Sequence, residues 1–265
     1  MGWKYAYASV TGTSHSRSGT PCQDSSCCEI IHTSEGEPVL VAVASDGAGS
    51  ARYSEIGSKL VCSLFIEEMN AFFNKGFTVS NYTREYVEEW LIKYQSEVSK
   101  LAKMQGSVIR DYACTILAAI IGREEAVFFQ IGDGAIVVSS REESDNYCWV
   151  FWPQKGEYEN VTYFITDFKP SNNCLDYDNI EKSIDEVAIF TDGLQRFALH
   201  YKTQTAYTPF FRPFFTSLRD KNEGYCDEIA KSLAVYLNSN RVNERTDDDK
   251  TLVLATRIVG GGNSI

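Results

Sequence analysis

No stretch of this 265-residue sequence is apolar for long enough to cross a bilayer. The longest, Cys114 to Ile121, falls far short of the roughly 20 residues a spanning helix needs. The opening residues, Met1-Gly2-Trp3-Lys4-Tyr5-Ala6, lack the apolar core of a secretion signal, and Ala6 stands where a myristoylation site at Gly2 wants Ser or Thr. Basic residues are scarce, 25 against 36 acidic, and the formal charge of -11 excludes nucleic acid or an anionic membrane as the main partner. A Cys-x-x-Cys pair is also missing. The eight cysteines are spread along the chain, Cys62 and Cys114 within apolar runs, and read as free thiols of a reducing compartment. Cys22, Cys27 and Cys28 do not have the spacing of a zinc site. The expected location is the cytoplasm.

What is present is a globular core. Hydrophobic residues make up 43% of the chain, with 15 Phe and 15 Tyr, which excludes disorder. Neither a repeat nor a linker interrupts it, so one domain over 1–265 is expected. Alternating or β-branched runs predict strands at 3–10, 26–32 and 39–44. The turn-rich stretch 11–25 between the first two reads as a loop. Helical spacing of apolar residues predicts helices over 54–74 and 83–103, the second closed by Gly106. Short strands follow at 112–121, 125–131, 135–140, 147–152 and 161–166, then an irregular excursion at 167–184. A strand at 187–191, a mixed segment, a helix near 225–238, an acidic turn at 244–249 and a strand at 250–258 complete the chain. Strands joined by short turns imply antiparallel pairing. The fold class is therefore α+β: two antiparallel sheets packed as a sandwich with helix pairs outside.

Several apolar strands run straight into Asp and a turn residue, at Asp46-Gly47, Asp133-Gly134 and Asp192-Gly193, and the triplet Asp247-Asp248-Asp249 precedes the last strand. One Asp-Gly alone signals only a turn. Three of them with an acidic triplet mean more, because neighbouring strand ends converge and would crowd several carboxylates into a small volume. Such carboxylates repel one another unless a cation neutralises them. Oxygen ligands without His or thiolate favour Mg²⁺ or Mn²⁺ over zinc. Two such ions about 3.5–4 Å apart would acidify a shared water and clamp phosphoryl oxygens.

The motifs Gln23-Asp24, Ala44-Ser45-Asp46-Gly47-Ala48-Gly49-Ser50, Ile131-Gly132-Asp133-Gly134, Phe190-Thr191-Asp192-Gly193-Leu194 and Asp248-Asp249-Lys250-Thr251-Leu252 resemble, in this order, those of the type 2C (PPM-type) metal-dependent serine/threonine protein phosphatases. The resemblance implies that Asp46 bridges two metal ions and that Gly47 gives its carbonyl to one of them. Asp192 and Asp248 become further ligands, with Asp247 and Asp249 open as alternatives in the triplet. Asp24 would hold metal-bound waters, and Asp133 would help bind a weaker third ion. Ala48 stands where many members carry His, as in a bacterial branch of the family. The leaving-group proton must then come from metal-bound water or from His15, itself equally an ordinary loop histidine. Arg17, or less well Arg52, is the candidate grip on the substrate phosphate. The expected reaction is hydrolysis of phosphoserine or phosphothreonine, made by a Ser/Thr kinase, through a metal-bridging hydroxide. A weak or inactive phosphatase-like sensor and a phosphoesterase for small metabolites are the rival readings. The 167–184 stretch is a candidate flap over the site, or a plain surface loop.

Overall fold

In the computed structural model, which describes residues 2–140, 146–154 and 162–258, the run Pro38–Ser45 is a strand whose side chains alternate between two cores. Val39, Val41 and Val43 meet a layer of helices, while Leu40, Ala42 and Ala44 meet a second sheet. A strand buried on both faces in this way must lie in an inner layer.

In chain order the first elements are β1 (Trp3–Val10), α1 (Thr13–Ser18), β2 (Ser25–His32), β3 (Pro38–Ser45), α2 (Ser54–Asn74) and α3 (Arg84–Met104). A strand-rich middle follows: β4 (Ile116–Ile121), β5 (Ala126–Ile131), β6 (Ala135–Ser139), β7 (Cys148–Phe151), β8 (Asp176–Ile180) and β9 (Glu186–Phe190). Then come α4 (Gln195–Ala198), β10 (Leu199–His200), β11 (Thr205–Ala206), α5 (Thr208–Arg219) and β12 (Gly224–Tyr225). The last elements are α6 (Asp227–Leu237), α7 (Asn240–Asn243) and β13 (Lys250–Arg257). One sheet has the order β12-β1-β13-β9-β6-β7 and the other β2-β3-β4-β5-β8. Pairing is antiparallel apart from the short β1–β12 contact.

The layers are built by period-two alternation. Leu117, Phe128, Ile136, Ile189 and Val253 fill the space between the sheets. Ile116, Ile120, Val127 and Phe129 pack instead on α2 and α3 through Phe65, Met69, Trp90 and Tyr94. On the opposite side Phe190, Leu252 and Leu254 pack on α5 and α6 through Phe211, Phe215 and Leu233. The result is the expected α+β sandwich with helix pairs outside.

Local differences from the sequence reading have physical causes. The 11–25 stretch is not all loop: α1 forms where the Ser14 N–H donates to the Asp247 carbonyl at 2.9 Å. The strand expected at 112–121 starts at Ile116, after a 3₁₀ turn over Ile109–Tyr112. No strand forms over 162–166; residue 161 lies outside the described residues, and Ile165–Asp167 is a 3₁₀ turn. The Gln95 amide donates to the carbonyls of Ile165 (2.7 Å) and Phe168 (2.9 Å), taking the place of a ladder partner. Within the expected excursion 167–184, Asp176–Ile180 is β8, an edge strand paired with β5. The mixed segment holds α5, with Pro209 in its first turn and in spite of Pro213 in its interior.

Candidate metal centre

Strand direction decides where the aspartates go. Because β3 and β5 both run antiparallel to β4, their carboxyl ends share one rim of the sandwich. Across the other sheet, the Leu252↔Phe190 register sets the start of β13 beside the end of β9. Ser25 pairs with Ser45, so the residue before β2 also lies at the end of β3. Asp24, Asp46, Asp133, Asp192 and the acidic triplet therefore all reach the same rim.

One carboxylate oxygen from each of Asp46, Asp133 and Asp192 lies within 4.8 Å of the others. The turns holding them are braced. Asp46 N–H donates to Thr115 Oγ1 at 2.9 Å, and Thr115 N–H returns a bond to the Asp46 carbonyl at 2.8 Å. Thr162 Oγ1 donates to Asp133 Oδ2 at 2.7 Å, and the Gln195 amide donates to the Asp133 carbonyl. Gly47 sits where a Cβ would come within 2.7 Å of the Gln23 carbonyl oxygen, so only glycine lets this backbone close on the loop before β2. Asp24 is buried beneath, its Oδ2 accepting the Thr191 hydroxyl at 2.8 Å.

The triplet splits by direction. Asp249 is buried; its Oδ1 accepts from Gly12 N–H and its Oδ2 from Gln23 N–H, both at 2.6 Å. Asp247 and Asp248 are exposed and line a cleft of about 400 Å³ together with His15, Asp46, Asp133 and Asp192. His15 Nδ1 stands 3.0 Å from Asp249 Oδ2. Arg17, exposed on the last turn of α1, does not line this cleft, and Arg52 lies over the Tyr53 ring at 5.1 Å.

The electrostatics ask for a cation. Burial, then the charges of Asp24, Asp192, Asp133 and Asp248, holds the Asp46 carboxyl well above the ordinary range. Burial, followed by the charges of Asp133 and Asp248, pushes Asp192 up to about 7. Asp24 rises to about 8, mainly through burial, against the lowering effect of its bonds from Thr191 and Thr251. A half-buried set of mutually opposed oxygen donors fits a hard divalent ion. The fit is to Mg²⁺ or Mn²⁺, not to a soft metal.

Thr162, Thr191 and Gln195 escaped the sequence reading. Thr191 alone carried a signal, its place between an apolar strand and Asp192-Gly193.

Comparison with known proteins bears on the family and the fold. The family model described as Protein phosphatase 2C matches residues 11–238, stopping short of the acidic triplet. Serine/threonine-protein phosphatase 3 of Escherichia coli (strain K12) is 33% identical over 255 residues, covering 96% of this chain and 98% of that protein. Among solved structures, the serine/threonine phosphatase Stp1 from Staphylococcus aureus gives a TM-score of 0.62 at 13% identity, covering 97% of this chain and 95% of its own. PppA of Pseudomonas aeruginosa gives 0.62 at 14% identity, covering 97% and 98%. The two structures share the fold.

Proposed function

This chain belongs to the protein phosphatase 2C family of metal-dependent serine/threonine phosphatases, and from that premise we propose how its residues divide the work. Asp46, Asp192, Asp248 and the Gly47 carbonyl would hold two Mg²⁺ or Mn²⁺ ions, with Asp133 serving a weaker third. Bound there, such ions supply Lewis-acid polarisation of the phosphoryl oxygens and a water acidified toward neutrality. The observation that carries the reading is the convergence of Asp46, Asp133 and Asp192 within 4.8 Å.

The chain's own groups then position and discharge. Thr115 and Thr162 fix the turns of Asp46 and Asp133, so these carboxylates need little reorganisation when charge develops on the substrate. Asp24, beneath the cleft, would act on the ions through water. Asp249 does not ligate in this reading, because backbone N–H groups take both of its oxygens. His15 lines the cleft and is the protein group placed to give a proton to the departing serine or threonine oxygen. Arg17, exposed and outside the cleft lining, is given no role in this reading. The 167–184 stretch keeps a covering role only outside Asp176–Ile180, since that segment is a sheet strand.

The substrate is a phosphoprotein, which we attribute to a Ser/Thr kinase. No helix among the described residues is long and apolar enough to cross a membrane, and all eight cysteines are unpaired, which suits the reducing cytoplasm. The test is manganese-dependent turnover of a phosphothreonine peptide. Asp192→Ala is expected to lose at least about a hundredfold in kcat/KM, since even an outer partner of a metal ligand is worth 10–100-fold. Unchanged turnover would sink this division of roles.

A further inference from the structure

We propose that the cavity beside the carboxylate cleft is a subsite for an oxyanion carried by a residue flanking the phosphorylated one, read by Arg196 and Arg245. The proposal rests on the catalytic reading above. The cavity measures about 450 Å³ and shares Asp192, Asp247 and Asp248 with the cleft, so the two spaces have a common wall. A chain whose phosphoryl group sits in the cleft has a neighbouring side chain at the mouth of this cavity.

Arg196, Arg245, Gln195 and Tyr201 also line the cavity. Arg196 is the second residue of α4, which follows the Asp192–Leu194 turn directly, so only a short segment of regular backbone separates it from Asp192. Arg245 lies two residues before Asp247, and its guanidinium carbon is 5.6 Å from the centroid of the Phe197 ring. A cation over an aromatic face is held in place while its N–H donors stay available. The Tyr201 hydroxyl donates to Gln195 Oε1, and the Gln195 amide donates to the Asp133 carbonyl, which ties this wall to the metal-centre turn.

Among the described residues neither arginine has an Asp or Glu within 4.0 Å, whereas Arg84, Arg110 and Arg219 do. Both guanidiniums thus keep donors without a close carboxylate partner, although Asp192, Asp247 and Asp248 share the cavity wall. Divalent ions held by Asp192 and Asp248, as proposed above, would make the cavity more electropositive. A guanidinium fork matches a carboxylate or a phosphate by paired N–H···O bonds. Glutamate, aspartate and a second phosphorylated residue all supply that oxyanion.

The experiment measures kcat/KM for four phosphothreonine peptides: alanine-flanked, with Glu on the amino side, with Glu on the carboxyl side, and with a second phosphoserine. Wild-type protein is expected to favour at least one oxyanion-flanked peptide over the alanine-flanked one by about tenfold, as charge-assisted hydrogen bonds of this kind warrant. Preference for Glu or for phosphoserine identifies the source. In R196Q/R245Q the ratio measured within that protein is expected to fall to about one, and R196K/R245K is expected to keep part of it. Raising salt should shrink the wild-type ratio. If wild-type protein hydrolyses p-nitrophenyl phosphate yet shows no preference, or if the glutamine variant keeps the preference, the subsite is overturned alone. If p-nitrophenyl phosphate is not hydrolysed with manganese present, the catalytic reading falls and the subsite with it.

Discussion

Asp248 and Asp249 are neighbours of identical chemistry, yet the proposed division of roles gives them different tasks. Asp249 closes the N-terminal loop onto the start of β13 by accepting two buried N–H groups. Removing it leaves both donors without a partner, at about 1–3 kcal/mol each. Asp249→Ala is therefore expected to cost about 2–5 kcal/mol in urea unfolding of the metal-free protein. Asp248→Ala should leave that stability nearly unchanged and weaken manganese binding by calorimetry; the reverse pattern would exchange the two assignments. The raised carboxyls give a second test. Asp24 and Asp192, at about 8 and 7, bind protons more tightly when folded than the ordinary carboxyl does at about 4. Folded metal-free protein thus holds extra protons between those limits. Their contribution to stability is complete below the window and is lost as pH rises through it. Tm in a chelator should fall from pH 5 to pH 8, and added manganese should raise Tm more at pH 8 than at pH 5. A chelated protein whose Tm climbs over this range would contradict the proposed crowding of charge.

Gly193 marks the tightest contact between the elements that build the centre. A Cβ there would lie 2.0 Å from the Asp249 carbonyl oxygen, so the turn after β9 rests directly on the backbone of the triplet. Backbone cannot rotate away as a side-chain end can, and Gly193→Ala must push apart the two segments that carry Asp192 and Asp248. The expected result is weaker manganese binding together with a stability loss of about 1–3 kcal/mol, typical of overpacking. Wild-type affinity in this variant would show that the contact does not position the ligands. Elements of this kind were unevenly legible in the sequence. The helical spacing of Phe65, Met69, Trp90 and Tyr94 announces α2 and α3, because those residues must face one core. By contrast, α5 is hidden by Pro213, which costs a helix interior about 3 kcal/mol. Burial of Phe210, Phe211, Phe215 and Leu218, at roughly 1.5–3 kcal/mol each, outweighs that cost, and such burial is tertiary information. Similarly, β8 reads as a loop because Asp176-Tyr177-Asp178-Asn179 is polar, as an edge strand half open to water can be. The Asp-Gly turns were visible as strand endings. The register within the triplet was not, since three like residues differ only in which one the β1–β2 loop selects.

At the scale of the whole molecule the centre is a clasp between two sheets. Asp46 follows β3 of the five-stranded sheet, Asp192 follows β9 of the six-stranded one, and Asp133 sits in the turn that crosses from β5 to β6. Cations shared among these carboxylates, as proposed above, would pin the layers together at one rim, where carboxylate repulsion would otherwise push them apart. The opposite rim, with the β2–β3 and β4–β5 turns, has no share in that linkage. Binding to the folded state alone stabilises by about 2.7 kcal/mol at a hundred times Kd. For a domain of this size that corresponds to a rise in Tm of about 5–10 °C. The distribution is the sharper prediction. Hydrogen exchange with and without manganese should slow at residues 46–48, 132–134, 191–194 and 247–249. The Thr33–Glu37 and Gly122–Glu125 turns should exchange at unchanged rates. Protection spread evenly over both rims would mean that the ion stabilises the fold without joining its sheets at this place. Protection confined to one sheet would mean that the carboxylates of the two layers do not share it.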